Sequence, residues 1–214
     1  MPLKALASLS GVFAIGAILL IAGCSSSETD ICDGSERRVC LVPLGTVPSA
    51  VLDYLEDYYD EQYGLKVRVL KGTSVPSDLA NPDRQQVDAG TLIEYAGSLF
   101  PEAYADPEAV LISLTSVDLY IEGRDWRFAF GTKGAPEYPK AVVSWFRMDP
   151  RNFGAALDEG LLVERIRKMV TRYIGLLYYG LSANDDPRSL LYDNILSLGD
   201  LDRMEEPLSV PGEQ

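Results

Sequence analysis

The sequence predicts an α+β sandwich in which a mixed β-sheet of about four to five strands is packed by three main helices. Three observations predict it. Short β-rich runs at residues 38–44, 65–70, 109–114 and 141–146 interleave with helical patterns early in the chain, the layout of a layered domain. The 109–114 run, AVLISL, is continuously apolar and bounded by turns, as expected of a central strand covered on both faces. The stretch 161–181, LLVERIRKMVTRYIGLLYYGL, repeats apolar residues at helical spacing along its length, as a helix that closes a core would.

Each element has a local reason. Residues 38–44 (RVCLVPL) form a first strand ending at Gly45. Residues 48–63 form a helix: Pro48 suits a first turn, Val51, Leu52, Leu55, Tyr58, Tyr59 and Tyr63 recur at helical spacing, and Gly64 supplies the C-cap. Residues 65–70 alternate apolar and basic, a half-exposed strand. Residues 72–82 form a loop, and 86–100 a second helix with Val87, Leu92, Ile93, Ala96 and Leu99 inward. Residues 118–132 form an irregular edge carrying Trp126, Phe128 and Phe130. On the 161–181 helix, Leu162, Ile166, Met169, Val170, Tyr173, Ile174, Leu177 and Leu181 form the buried stripe, with Glu164, Arg165, Arg167, Lys168 and Arg172 mostly on the other side. Gly180 and the turn-prone 182–187 stop it. The remainder reads as coil with a short turn at 198–204. The globular domain spans 38–204, without repeats or a second domain, and 205–214 reads as a flexible tail.

Composition narrows the partners. The chain has 214 residues, 19 Lys and Arg against 32 Asp and Glu, and no histidine, for a net charge of −13. That balance disfavours nucleic acid and anionic lipid headgroups as charge-driven partners. At the N-terminus, Lys4 precedes an apolar stretch, 12–22, too short for a comfortable membrane span. The run Leu20-Ile21-Ala22-Gly23-Cys24 resembles the lipobox of bacterial lipoproteins. It implies a signal peptide at 1–23, acylation of Cys24, a polar tether over 24–37, and a domain held at the membrane on the extracytoplasmic side of the bacterial envelope. The alternative is an uncleaved signal anchor with an unrelated cysteine. Cys32 and Cys40 then remain, as a disulfide pair in an oxidising compartment or as two free thiols.

A second resemblance rests on the order of several short motifs. Leu41-Val42-Pro43-Leu44-Gly45 looks like the opening strand of the archaemetzincins, small zinc metalloproteases of the metzincin clan. Arg84-Gln85-Gln86-Val87-Asp88-Ala89 is similar to their Arg-x-Gln-Tyr-x-Ala, with Val87 in place of the tyrosine. Thr115-Ser116-Val117-Asp118-Leu119-Tyr120 resembles their Thr-x-x-Asp-Leu-Tyr. Phe130-Gly131 and Val143-Ser144-Trp145-Phe146-Arg147-Met148 resemble their Phe-Gly and Val-Ser-x-x-Arg-Leu strands, and Asp200-Leu201-Asp202-Arg203 a late acidic segment. The resemblance covers about 39–204 and implies a metzincin-like fold.

It also withdraws the family's chemistry. The family's active helix reads His-Glu-x-x-His-x-x-Gly-Leu-x-His. Anchored on Gly180, the three histidine positions fall on Tyr173, Leu177 and Ala183, and the glutamate on Ile174. Anchored on Gly175, the three histidine positions fall on Lys168, Arg172 and Tyr178, and the glutamate on Met169. Neither register offers zinc ligands with a general base, so no catalytic residue, metal or cofactor is expected. Other chemistry is sparse. Ser144 has no histidine as base and would need Lys140 or Lys168 brought close. Asp185, Asp186, Asp193, Asp200 and Asp202 lack the spacing of a calcium loop and read as solvated acids. The leading expectation is an inactive archaemetzincin-like lipoprotein domain that binds a peptide or an envelope protein in a groove of Asp118, Tyr120, Trp126, Phe128 and Ser144, by strand addition to the sheet edge. The alternatives are a hydrolase with a non-standard site and a purely structural envelope lipoprotein.

Overall fold

A computed structural model describes Cys32, Gly34 and residues 36–210. The leader, the lipidation candidate Cys24 and residues 211–214 lie outside the described residues. The chain runs β1 (Arg38–Leu44), α1 (Ser49–Tyr63), β2 (Val67–Val69), β3 (Ala80–Asn81), β4 (Gln86–Asp88), α2 (Ala89–Leu99), α3 (Pro101–Ala105), β5 (Ala109–Thr115), β6 (Leu119–Tyr120), β7 (Gly131–Lys133), β8 (Lys140–Ser144), α4 (Glu159–Leu177) and α5 (Leu198–Arg203). Five strands make a mixed sheet in the order β2-β1-β5-β8-β7, in which only β7 runs antiparallel. The expected class and strand number are those observed.

The sheet is covered on both faces, and strand alternation assigns the covers. Val39, Leu41, Val110, Ile112 and Val143 point into a core with α1 and α4. Cys40, Val42, Leu111 and Val142 point into a second core with α2. A disulfide joins Cys40 to Cys32. Arg38 ties the same N-terminal turn down by donating to the Cys32 carbonyl at 2.9 and 3.1 Å and pairing with Asp106. Among the described residues, no helix is long and apolar enough to cross a membrane.

Four details differ from the sequence expectation. Residues 86–88 are a strand, not the start of a helix. They pair with β3 and β6 in a small second sheet, and Asp88 becomes the N-cap of α2, accepting from the Thr91 amide at 2.8 Å. The 161–181 helix ends at Leu177, because the chain turns through Gly180 at φ +67°, a conformation glycine adopts without steric cost.

The cations of α4 are not solvent-facing. Arg165, Lys168 and Arg172 are buried, because the C-terminal segment covers the helix side turned away from the sheet. Asp202 takes both ends of the Arg165 guanidinium at 2.7 Å. Glu206 takes Arg167 at 3.0 and 3.1 Å, while that guanidinium stacks 4.7 Å from the Tyr58 ring centroid.

Residues 205–210 are likewise no free tail. Leu208 is buried, its amide donates to the Tyr63 hydroxyl at 2.8 Å, and with Leu191 it packs against Gly175 so closely that a Cβ there would lie 2.9 Å from Leu208. Leu208→Ala is therefore expected to cost about 2–3 kcal/mol, as truncation of a buried leucine does, read as a lowered urea midpoint with an unchanged slope.

Candidate functional site

A cleft of about 330 Å³ opens between α4 and the segment that leads into the β7 edge. Its upper wall is Trp126, Phe128 and Phe130, its floor Met169, Arg172 and Tyr173, and its outer rim Asp193, Ile195 and Leu196 from the C-terminal segment. Gly131 lets wall and floor meet. A Cβ there would run into the Val142 carbonyl and sit 3.1 Å from the Tyr173 ring and hydroxyl, so the tyrosine packs directly beneath β7.

The floor is polar at its centre. Arg172 is 7% exposed and donates to the Leu190 carbonyl at 3.2 Å. The Asp193 carboxylate stands 3.7 Å from the guanidinium, beyond hydrogen-bond reach. Burial lowers the arginine's pKa, opposed by the neighbouring Tyr173 and Asp193. Burial pushes the Tyr173 phenol up to about 12, opposed by Arg172, so the hydroxyl stays protonated at neutral pH.

Of the residues expected in a groove, Trp126 and Phe128 line this cleft, and Asp118, Tyr120 and Ser144 do not. Asp118 is buried in a polar cluster outside it: Arg147 donates from Nε at 2.9 Å, and Gln86 donates from Nε2 at 3.0 Å. Tyr120 lies under the Arg84 guanidinium, 4.5 Å from its ring centroid. The Ser144 hydroxyl donates to the Val117 carbonyl at 2.5 Å and accepts from the Phe146 amide at 3.2 Å. Neither candidate lysine reaches it. Lys140 donates to the carbonyls of Ala103 at 2.9 Å and Ala109 at 2.6 Å, and Lys168 pairs with Glu164 at 2.7 Å. Of Tyr173, Ile174, Leu177, Gly180 and Ala183, only Tyr173 lines the cleft; Ile174 is buried in the core and Ala183 is exposed. In the sequence Arg172 reads only as a polar-side cation and a motif position of the Gly175 register, and Asp193 only as a solvated acid, because the fold brings Arg172 and the 193–196 rim to one edge from separate segments.

Comparison with known proteins places this architecture. No family model matches the sequence. An archaemetzincin of Thermococcus kodakarensis is 28% identical over 161 residues, which span 73% of this chain and 83% of that protein. The solved archaemetzincin of Methanopyrus kandleri superposes with a TM-score of 0.59 at 29% identity, covering 80% of this chain and 88% of its own. The domain is archaemetzincin-like. A zinc-dependent peptidase from Methanocorpusculum labreanum shares the fold with a TM-score of 0.64 at 23% identity, over 80% of this chain and 95% of its own. The archaemetzincin-like architecture makes this a metallopeptidase-related domain.

The residues of the cleft do not fit a zinc ion. The chain has no histidine. Among the described residues, no three His, Cys, Asp or Glu side chains converge as a ligand set. The cleft floor offers instead a neutral phenol beside a guanidinium, a cation that opposes a divalent metal.

The same polar architecture gives a pH signature outside the cleft. Burial lowers the Lys140 pKa to about 8, opposed by Asp106. Between that value and the ordinary 10.5 the unfolded chain holds more protons than the folded one, so this group makes stability rise with pH across the window. The stability difference between wild type and Lys140→Met should therefore grow in favour of wild type as pH climbs from about 8. Parallel pH curves for the two proteins would contradict the assignment.

Proposed function

We propose that this protein is an extracytoplasmic lipoprotein, anchored in the membrane through acylated Cys24, whose archaemetzincin-like domain lacks zinc-peptidase activity and binds a peptide or an envelope protein in its cleft. The carrying observation is a helix of peptidase type without peptidase ligands. Gly175 lies inside α4, whereas Gly180 sits in the left-handed turn after it, which supports the register that puts Tyr173, Ile174, Leu177 and Ala183 at the motif positions. A phenol, two aliphatic chains and a methyl group cannot hold zinc and deprotonate its water.

Binding draws on what is left. The cleft keeps apolar walls, and β7 is an edge strand, bonded to β8 on one side in the sheet order. An extended peptide can add to such an edge, with side chains seated in the cleft. A hydrolase with a non-standard site is the second reading, favoured by the peptidase neighbours. Ser144 does not serve it, since its hydroxyl is committed to backbone on both sides.

Two measurements test the proposal. Protein purified without chelator or histidine tag is expected to carry less than about a tenth of an equivalent of zinc and to cleave no peptide library; a full equivalent that survives dialysis would restore the peptidase reading. Metabolic labelling with palmitate should mark the wild type and not Cys24→Ser, which should leave the membrane fraction. Unchanged fractionation and labelling of the variant would remove the anchor.

A further inference from the structure

We propose that the cleft selects a carboxylate-bearing peptide, with the Arg172 guanidinium as the anchor for the carboxylate; this rests on the peptide-binding reading above and names the ligand chemistry of that site. Arginine carries five N–H donors in a planar fork that matches a carboxylate edge to edge. Here the fork lies on the floor of the cleft, more than nine-tenths buried, with the Leu190 carbonyl at 3.2 Å as one acceptor. Among the described residues, Asp193 is the one carboxylate within 4.0 Å of it, at 3.7 Å, too far for a hydrogen bond. The guanidinium also bonds the Tyr173 hydroxyl, so its close partners are neutral oxygens, and a buried cation with no carboxylate in hydrogen-bond contact is under-neutralised.

Its surroundings complete a receptor. The Tyr173 hydroxyl accepts from the Arg172 guanidinium and, being protonated, keeps its own O–H to donate beside the fork. Trp126, which is 43% exposed, Phe128 and Leu196 supply apolar surface around a ligand whose carboxylate reaches the floor. Arg127, an exposed residue, also belongs to the lining of the cleft. The chain's net charge of −13 works against an anionic ligand at long range, so selectivity has to come from the short-range contact in the cleft, where the local dielectric is low.

Asp193 has a defined part in this arrangement. Its carboxyl is 67% exposed and belongs to the rim, so it can swing into water when a ligand carboxylate takes the guanidinium. It is an internal competitor, and its removal should strengthen binding. A purely structural Arg172–Asp193 pair makes the opposite expectation, since loss of Asp193 would then loosen the floor and weaken the site.

Both sources of the group are tested together. The full chain, purified in detergent, is titrated against three immobilised hexapeptide libraries. One has free C-terminal carboxylates and no Asp or Glu, one is amidated with a single Asp or Glu, and one is amidated and uncharged. Carboxylate-bearing peptides of the first or second library should bind about ten-fold or more tighter than the third. Arg172→Gln should abolish that preference, and Asp193→Asn should raise affinity about three-fold or more. The Asp193 variant leaves the core untouched, so it reports even if Arg172→Gln fails to fold. Binding without preference for a carboxylate, or weakening in Asp193→Asn, overturns the assignment of Arg172 and leaves the peptide cleft standing. Binding of no library overturns the peptide cleft itself.

Discussion

The pairing of the α4 cations by the C-terminal segment is the interaction on which the rest of the structure depends. Leaving a charge unpaired inside a protein costs several kcal/mol even after relaxation. Arg165, Lys168 and Arg172 are all buried on one helix; Asp202 answers Arg165 and Glu164 answers Lys168, while Asp193 stands 3.7 Å from Arg172. With those partners in place, α4 can be covered on both sides: by β5 and β8 through Ile166, Val170 and Ile174, and by Leu190, Leu201 and Leu208 from outside. Without them the helix would have to expose its polar side, and the segment past Met204 would rest on the packing of Leu208 and its bond to Tyr63.

That double cover fixes the floor of the cleft. Tyr173 is pressed under Gly131, and Arg172 is held between the Leu190 carbonyl and the Asp193 rim, so the site rests on a rigid element. The fold is archaemetzincin-like, yet the chemistry on its central helix is a phenol and a guanidinium. The scaffold places side chains at a sheet edge, and in the reading proposed above their identity decides whether a metal or an anion is received there.

Much of the fold was legible because burial imposes periodicity. Strands such as AVLISL and the α4 stripe had to be apolar at the spacing of their own geometry. The opposite side of α4 misled for a physical reason: an amphipathic pattern separates polar from apolar residues but cannot say that a distant segment will supply carboxylates to bury the polar ones. Residues 86–88 were misassigned because a three-residue strand is defined by its partners, here β3 and β6, and not by its own pattern. In the site, Trp126, Phe128 and Tyr173 were legible from aromatic placement and the family resemblance. Asp118 and Ser144 carried the same motifs and proved to be knots of backbone and ion-pair bonding, while Arg172 became visible only once residues 190–196 were folded over it.

A double-mutant cycle between Arg165 and Asp202 tests this account most directly, with unfolding free energies measured for Arg165→Met, Asp202→Asn and the combined variant. The account predicts a coupling of at least about 1 kcal/mol, allowing for the partly exposed carboxyl, with each single variant destabilised. Additivity within about 0.3–0.5 kcal/mol would contradict it, because the C-terminal segment would then cover α4 without neutralising it.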